Sequence, residues 1–456
     1  MKQIAIGGGQ GFWGDSNDAA IHMIRHAEAL DYMACDYLAE LTLSIMQRQK
    51  LKNPQAGFAR DFISLMQEVI VEARQRHTRI LTNAGGMNVQ GCVTQLEELA
   101  RAKGLSGYRI GYVLGDDIMA SIPDLLADGV RFDSLDGEGD FEEVRNNLVN
   151  ANVYFGHEPI EACLADNADV VVTGRATDSA LFMAPLKHEF GWAGDDWDNL
   201  ARGIMAGHLL ECGGQGAGGN YQYDWRGVPD MDQLGFPIAE MSADDFHITK
   251  APDCGGIICE QSVKEQFLYE VHDPANYITP DVVVDISQAT LNNAGPNRVR
   301  VGNIKGKPRP DQLKLCLGYH AGWKVVTYLS FAWPDAYEKA QYAADILMKK
   351  MKRKGLNAEE IHISYLGLNA LHLDVADMAD DLVNRMNEVV LRIAIRAREK
   401  SEAAKIVPEI SPLQLNGPPG ASFFGGRSKV QEIIGLWPTL IPRDAVKLSH
   451  HILEVR

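Results

Sequence analysis

With 456 residues, the chain is longer than one typical domain and long enough to bury a sizeable core. Hydrophobic residues at 46% and charged residues at 23% make an ordinary globular composition. The formal net charge of -17, with no long basic block, argues against nucleic acid or an anionic membrane surface as partner, although one local Arg or Lys could still hold a small anion.

The N-terminal MKQIAIGGGQGFWGD enters a strand at once, over residues 3–6, with no signal-peptide pattern. No window approaches the roughly 18 apolar residues of a membrane span. The seven cysteines are scattered, odd in number and without CxxC spacing, which fits reduced thiols rather than a disulfide framework or a zinc ribbon. A cytoplasmic location is expected. After the strand come Gly7, Gly8, Gly9, Gln10 and Gly11, with an amphipathic segment from Asp18 behind them. This is read either as a phosphate- or nucleotide-binding turn or as a loop folding over the sheet edge. The spacing departs from GxGxxG, because Phe12-Trp13 stands where close helix packing is needed, and no ribose-binding acid clearly follows.

Strand, polar turn and helix then recur. Helices are expected to about Lys50, over 60–74 and over 89–103, and strands over 79–82, 108–113 and 170–172. This βαβ rhythm predicts an α/β fold with a doubly wound, mostly parallel sheet over residues 1–220. Gly9, Asn83, Gly86, Asp116, Arg175 and Asp178 would then lie at strand C-terminal ends, where such sheets bind ligands. Asp116 and Asp117 are read as a metal or hydroxyl-binding pair, or as one helix cap.

The stretch from Ala168 to Asn220 carries the densest chemistry. Its strand 170–172 ends in Thr173-Gly174-Arg175-Ala176-Thr177-Asp178, a turn suited to an anionic or polyoxygenated ligand. A helix start is expected over 179–186, and on a second helix over 199–212 His208, Glu211 and Cys212 are three and four apart and share a face. They can be a proton-transfer or nucleophilic cluster, or a capped helix end with a packed thiol. Zinc on His208 and Glu211 would need a distant third ligand that no motif identifies, so no metal is assigned. His188-Glu189 is a second candidate pair. The glycine-rich 213–219, ending at Asn220, lets backbone approach a ligand.

Residues 221–296 are read as a connecting region too apolar to be disordered. From 297 to 456 the pattern predicts an α+β domain of split βαβ type. Its expected elements are strands at 298–301, 313–329 and 360–366, helices at 334–354 and 375–400, and a strand near 405–408. The basic run 349–354 suits a helix C-terminus. A loop with Gly417, Gly420, Phe423, Phe424, Gly425, Gly426 and Arg427 is expected to close over something.

Several segments together resemble the acyclic terpene utilisation family: IGGGQGFWGD at 6–15, DYLAELTLS at 36–44, TNAGGMN at 82–88, VTGRATDSA at 172–180, HEFGW at 188–192, GHLLECG at 207–213, GPPG at 417–420, GGR at 425–427 and WPTLIPR at 437–443. The resemblance spans nearly the whole chain. It implies a catabolic enzyme or enzyme subunit acting on branched or polycarboxylic acids or their acyl-CoA thioesters, and carries no catalytic residues with it. CoA would then enter as part of the substrate rather than as a cofactor. Three functions follow as alternatives: a lyase, hydratase or isomerase with His208 or Glu211 moving a proton and Arg175 holding an anion; a nicotinamide-dependent oxidoreductase; and a non-catalytic partner of a small subunit. Substrate contacts are expected from Gly8, Gly9, Gln10, Asn83, Gly86, Asp116, Arg175, Thr177, Asp178, Asn220 and Arg427, and a homo-oligomer is expected.

Overall fold

The segment Gln3-Ile4-Ala5-Ile6-Gly7-Gly8-Gly9-Gln10 forms one strand, β1 (Gln3–Gln10), buried from Ile4 onward. The computed structural model describes residues 2–137, 139–243 and 245–456. The sequence pattern ends this strand at residue 6 and makes the glycines a turn. That reading is corrected, because the glycines are the strand's interior. A side-chain carbon at Gly8 would collide with the Leu210 carbonyl oxygen, and one at Gly9 would stand 2.7 Å from Cys35 Sγ. Glycine is required there by packing.

Next come α1 (Asn17–His26), β2 (Tyr32–Cys35), α2 (Glu40–Lys52), α3 (Arg60–Gln75), β3 (Arg79–Thr82), α4 (Val89–Ala102) and β4 (Arg109–Leu114). Ser16 caps α1 by accepting from Asp18 N, and Asn88 caps α4 by accepting from Gly91 N. On α3 the buried residues Phe62, Leu65, Met66, Val69, Ile70 and Ala73 recur at three- and four-residue spacing, which gives the helix one apolar face.

β1, β2, β3, the strand Val170–Val172 and β4 lie side by side in parallel. Antiparallel strands extend this sheet at both edges. Pro237–Ser242, Phe246–Lys250, Val299–Gly302 and Thr290–Asn293 continue it from β1, and Ser449–Glu454 pairs with β4. The sheet is therefore mixed, and the expectation of a mostly parallel one is corrected. The added strands include the hairpin 237–250, whose short connection permits only antiparallel pairing.

Alternate side chains enter two cores. Ala5, Met33, Ile80 and Val170 pack with α1, α3 and α4. Ile6, Ala34, Leu81 and Val171 pack with the helices Ala180–Phe190 and Trp197–Leu210. The near-continuous apolar character of the parallel strands follows from this two-sided burial.

The chain divides into two compact units, Met1–Gly318 with Leu436–Arg456, and Tyr319–Gly435. Residues 221–296 fall within the first. In the second, Glu360–Leu366, Glu388–Ala397 and residues 323–332 of the strand Gln312–Ala332 pair antiparallel in that order, with the helix Ala336–Arg353 packed on them. The helix expected at 375–400 is corrected: Glu388–Ala397 is a strand. Its Val389, Leu391, Ile393 and Ile395 are buried at every second position, a strand period that prevails over helical spacing. The strand expected near 405–408 is a short helical turn, Val407–Ile410, with Pro408 in its first turn.

Candidate functional site

The C-terminal ends of the parallel strands bring together Gln10, Asp36, Asn83, Asp116 and the turn Thr173–Asp178. The Asp36 amide donates to Gln10 O at 3.1 Å. The Asp36 carboxylate accepts from Leu38 N at 3.0 Å and from the Asn83 side-chain amide, whose own oxygen accepts from Tyr37 N at 2.7 Å. Asp116 Oδ2 accepts from Arg175 N at 2.8 Å and from Asn152 Nδ2 at 2.9 Å. Each carboxylate thus ties one strand end to the next.

Arg175 is among the largest fully buried side chains. Its Nε donates to Ala176 O at 2.9 Å, its Nη1 to Leu38 O, and its Nη2 to Asp178 Oδ1. The guanidinium also lies 4.4 Å from the centre of the Tyr154 ring, a cation–π contact. Lys314 lies over the same ring and pairs with Glu40 at 3.0 Å. Burial pushes the Glu40 carboxyl up, but Lys314 outweighs it and holds the group at about 2.

The helix Trp197–Leu210 delivers the second half of the site. Gly207 allows it to lie against the start of the helix Ala180–Phe190, since a side-chain carbon there would be 2.8 Å from Ser179 Cα. Just beyond its end, Glu211 Oε1 meets His208 Nδ1 at 3.1 Å. Gln266 Nε2 donates to His208 O at 2.8 Å, and the Tyr277 ring lies 5.3 Å from the imidazole. His208 Nε2 is buried without a hydrogen-bond partner among the described residues. So are Tyr154 Oη, Thr177 Oγ1, Ser179 Oγ and Gln10 Oε1. Buried polar atoms are rarely left in this state unless something else meets them.

The electrostatics are those of a crowded acid cluster. Burial, then the Asp178 charge, raises Asp36 well above the ordinary carboxylate range, with Arg175 opposing. Burial raises Asp116 and Glu211 as well, the latter against the pull of His208. The Cys212 thiol is pushed up by burial and by Glu211, so it is held as thiol rather than nucleophilic thiolate.

The model of the acyclic terpene utilisation family protein AtuA matches residues 4–452. The chain belongs to this family. No curated protein and no solved structure matches it. In this family member, Gln10, Asn83, Asp116, Arg175, Thr177 and Asp178 lie on adjoining strand ends and one turn, with His208 and Glu211 on the neighbouring helix. Gly8 and Gly9 serve strand packing, as described above, and they were expected at a ligand. Gly86, at φ +47°, turns the chain against Met46. Asn220 donates to Gln215 Oε1 at 3.2 Å, and Gln215 Nε2 reaches Gln266 at 2.9 Å, so it stands behind the His208 support. Arg427 is an exposed residue of the unit Tyr319–Gly435. His188 and Glu189 separate: Glu189 accepts from Tyr32 Oη at 2.5 Å, away from the cluster.

Asp36, Glu40, Tyr154, Ser179, Gln266 and Tyr277 were not singled out from sequence for these contacts. Asp36 ends a strand and opens DYLAELTLS, so its position alone could have flagged it. Tyr154 and Tyr277 come from distant segments with no local signal. Among the described residues no group of three His, Cys, Asp or Glu side chains is arranged to hold a metal ion. Among them, too, no helix is long and apolar enough to cross a membrane.

Proposed function

We propose that this family member is a catabolic enzyme moving a proton next to the carbonyl of an acyclic terpenoid acid or its CoA thioester, as a lyase, hydratase or isomerase does. The observation that carries this reading is the His208–Glu211 pair. Glu211 engages Nδ1 and orients the ring, and Nε2 is left without a hydrogen-bond partner among the described residues. That is the arrangement of a general base supported by a carboxylate. Removing a proton beside a carbonyl puts negative charge on the carbonyl oxygen. The unpartnered hydroxyls of Thr177, Ser179 and Tyr154 are donors for such an oxygen, and donors held in place for developing charge supply much of the catalysis. Asp36 and Asp116, held toward their neutral acids, spare that oxygen the repulsion of ionised carboxylates. Arg175 has its charge met by Asp178, so it shapes the turn that carries Thr177.

The test is isotope exchange. Citronellic acid and its CoA thioester, whose carbon next to the carbonyl carries two abstractable protons, are incubated with the protein in deuterium oxide, and deuterium at that carbon is read by NMR. Exchange above the protein-free rate with either supports the reading, and exchange with neither rejects it.

A further inference from the structure

The glycine-rich loop expected to close over something lies in the unit Tyr319–Gly435 and borders a cavity of about 600 Å3. Tyr328, Val407, Ile410, Phe423, Phe424 and Arg427 line it. Phe424 is 51% exposed and lies 6.1 Å from the Tyr328 ring. Arg427 and Lys429 are exposed beside it, a basic rim on a chain of net charge -17. The same unit carries an arm with the opposite character. Leu371 is 91% and Val375 85% exposed, with Leu373 and Leu382 also facing solvent. Asp374, Asp377, Asp380 and Asp381 are interleaved with them, and among the described residues Asp381 is the one of these with a cation beside it, Arg385 at 3.5 Å. Two apolar side chains this exposed within five residues of sequence are unusual on a lone globular chain.

We propose that the arm Leu371–Leu382 of one copy of this chain docks into the Phe423–Phe424 groove of a second copy. Apolar arm side chains enter the aromatic groove, and the arm's aspartates face Arg427 and Lys429. Every copy carries both halves, so two copies related by a twofold axis close with two identical contacts. An apolar centre with a charged rim is the usual make-up of such a contact, and the opposite charges set its register.

Light scattering after size-exclusion chromatography on the full chain tests this. The wild type should have at least the mass of a dimer. Leu371→Asp with Val375→Asp in the arm, and separately Phe424→Asp in the groove, should each give monomer. All these positions are solvent-exposed, so circular dichroism and melting temperature should match the wild type; if a variant fails that check, Val375→Ser or Phe424→Ser replaces it. Mixing the arm variant with the groove variant should restore a dimer, because one intact arm then meets one intact groove. A monomeric wild type would overturn the proposal. So would a groove variant that stays dimeric, which would mean arms meeting arms, or folded variants that do not pair on mixing.

Discussion

Arg175 shows how a residue can be legible in its position and not in its partners. Its place, in a turn after a buried strand and beside Asp178, is readable from the order of residue types. That its guanidinium would also be spent on Leu38 O and the Tyr154 face depends on segments 137 and 21 positions away, and no local pattern carries that. A lysine cannot reproduce the fork or the stacking. Arg175→Lys is therefore expected to cost about 1.5–3 kcal/mol, the usual worth of a charged hydrogen bond, and to lower the urea midpoint. An unchanged midpoint with weakened ligand binding would return the guanidinium to the ligand. The acid cluster has a pH signature whose sign follows from its raised carboxyls. Burial favours the protonated form of Asp36 and Asp116 in the native state, whereas the unfolded chain releases those protons near pH 4, at ordinary carboxylate values of about 4. Their contribution to stability is full below that pH and is lost as pH rises through the native values. Melting temperature followed from pH 4 upward should therefore fall less steeply in Asp36→Asn than in the wild type. Equal slopes would mean that Asp36 is ionised in the native state.

Elements were most legible where burial is one-sided or two-sided throughout. The amphipathic α3 and the fully apolar Val170–Val172 lie where their patterns put them. The failures have a common cause, which is that tertiary packing chose between two locally allowed states. Gly7, Gly8 and Gly9 are compatible with a turn, but the end of the helix Trp197–Leu210 comes down on the strand at Gly8 and keeps the chain extended. Residues 375–400 contain enough helix formers to suggest a helix, yet the alternation from Val389 to Ile395 is what pairs with the long strand Gln312–Ala332. The Gly8 contact is a testable link between fold and site, because Leu210 lies between His208 and Glu211 in the chain. Gly8→Ala should destabilise by about 1–3 kcal/mol through overpacking and should slow proton exchange at the site beyond what the stability loss explains. A variant as stable and as active as the wild type would show that this approach has slack.

At the scale of the whole molecule, family membership was legible because its motifs run from residue 6 to residue 443, and the match covers residues 4–452. Parallel strands put their C-terminal ends on one edge, which is why Asn83, Asp116 and Arg175 could be placed at strand ends from the order of elements alone. The division of the chain was not, because residues 436–456 return to the first unit and pair Ser449–Glu454 with β4, a contact more than 300 positions long in sequence. What this architecture is for turns on one atom, His208 Nε2, without a hydrogen-bond partner among the described residues while Glu211 occupies the other nitrogen. The most direct test compares wild type and His208→Asn, each checked for an intact melting transition, for deuterium uptake next to the carbonyl of the terpenoid acid or thioester that exchanges fastest. His208→Asn should lose about 10²- to 10⁴-fold, the range expected for a missing general base. Exchange at the wild-type rate in the folded variant would contradict it.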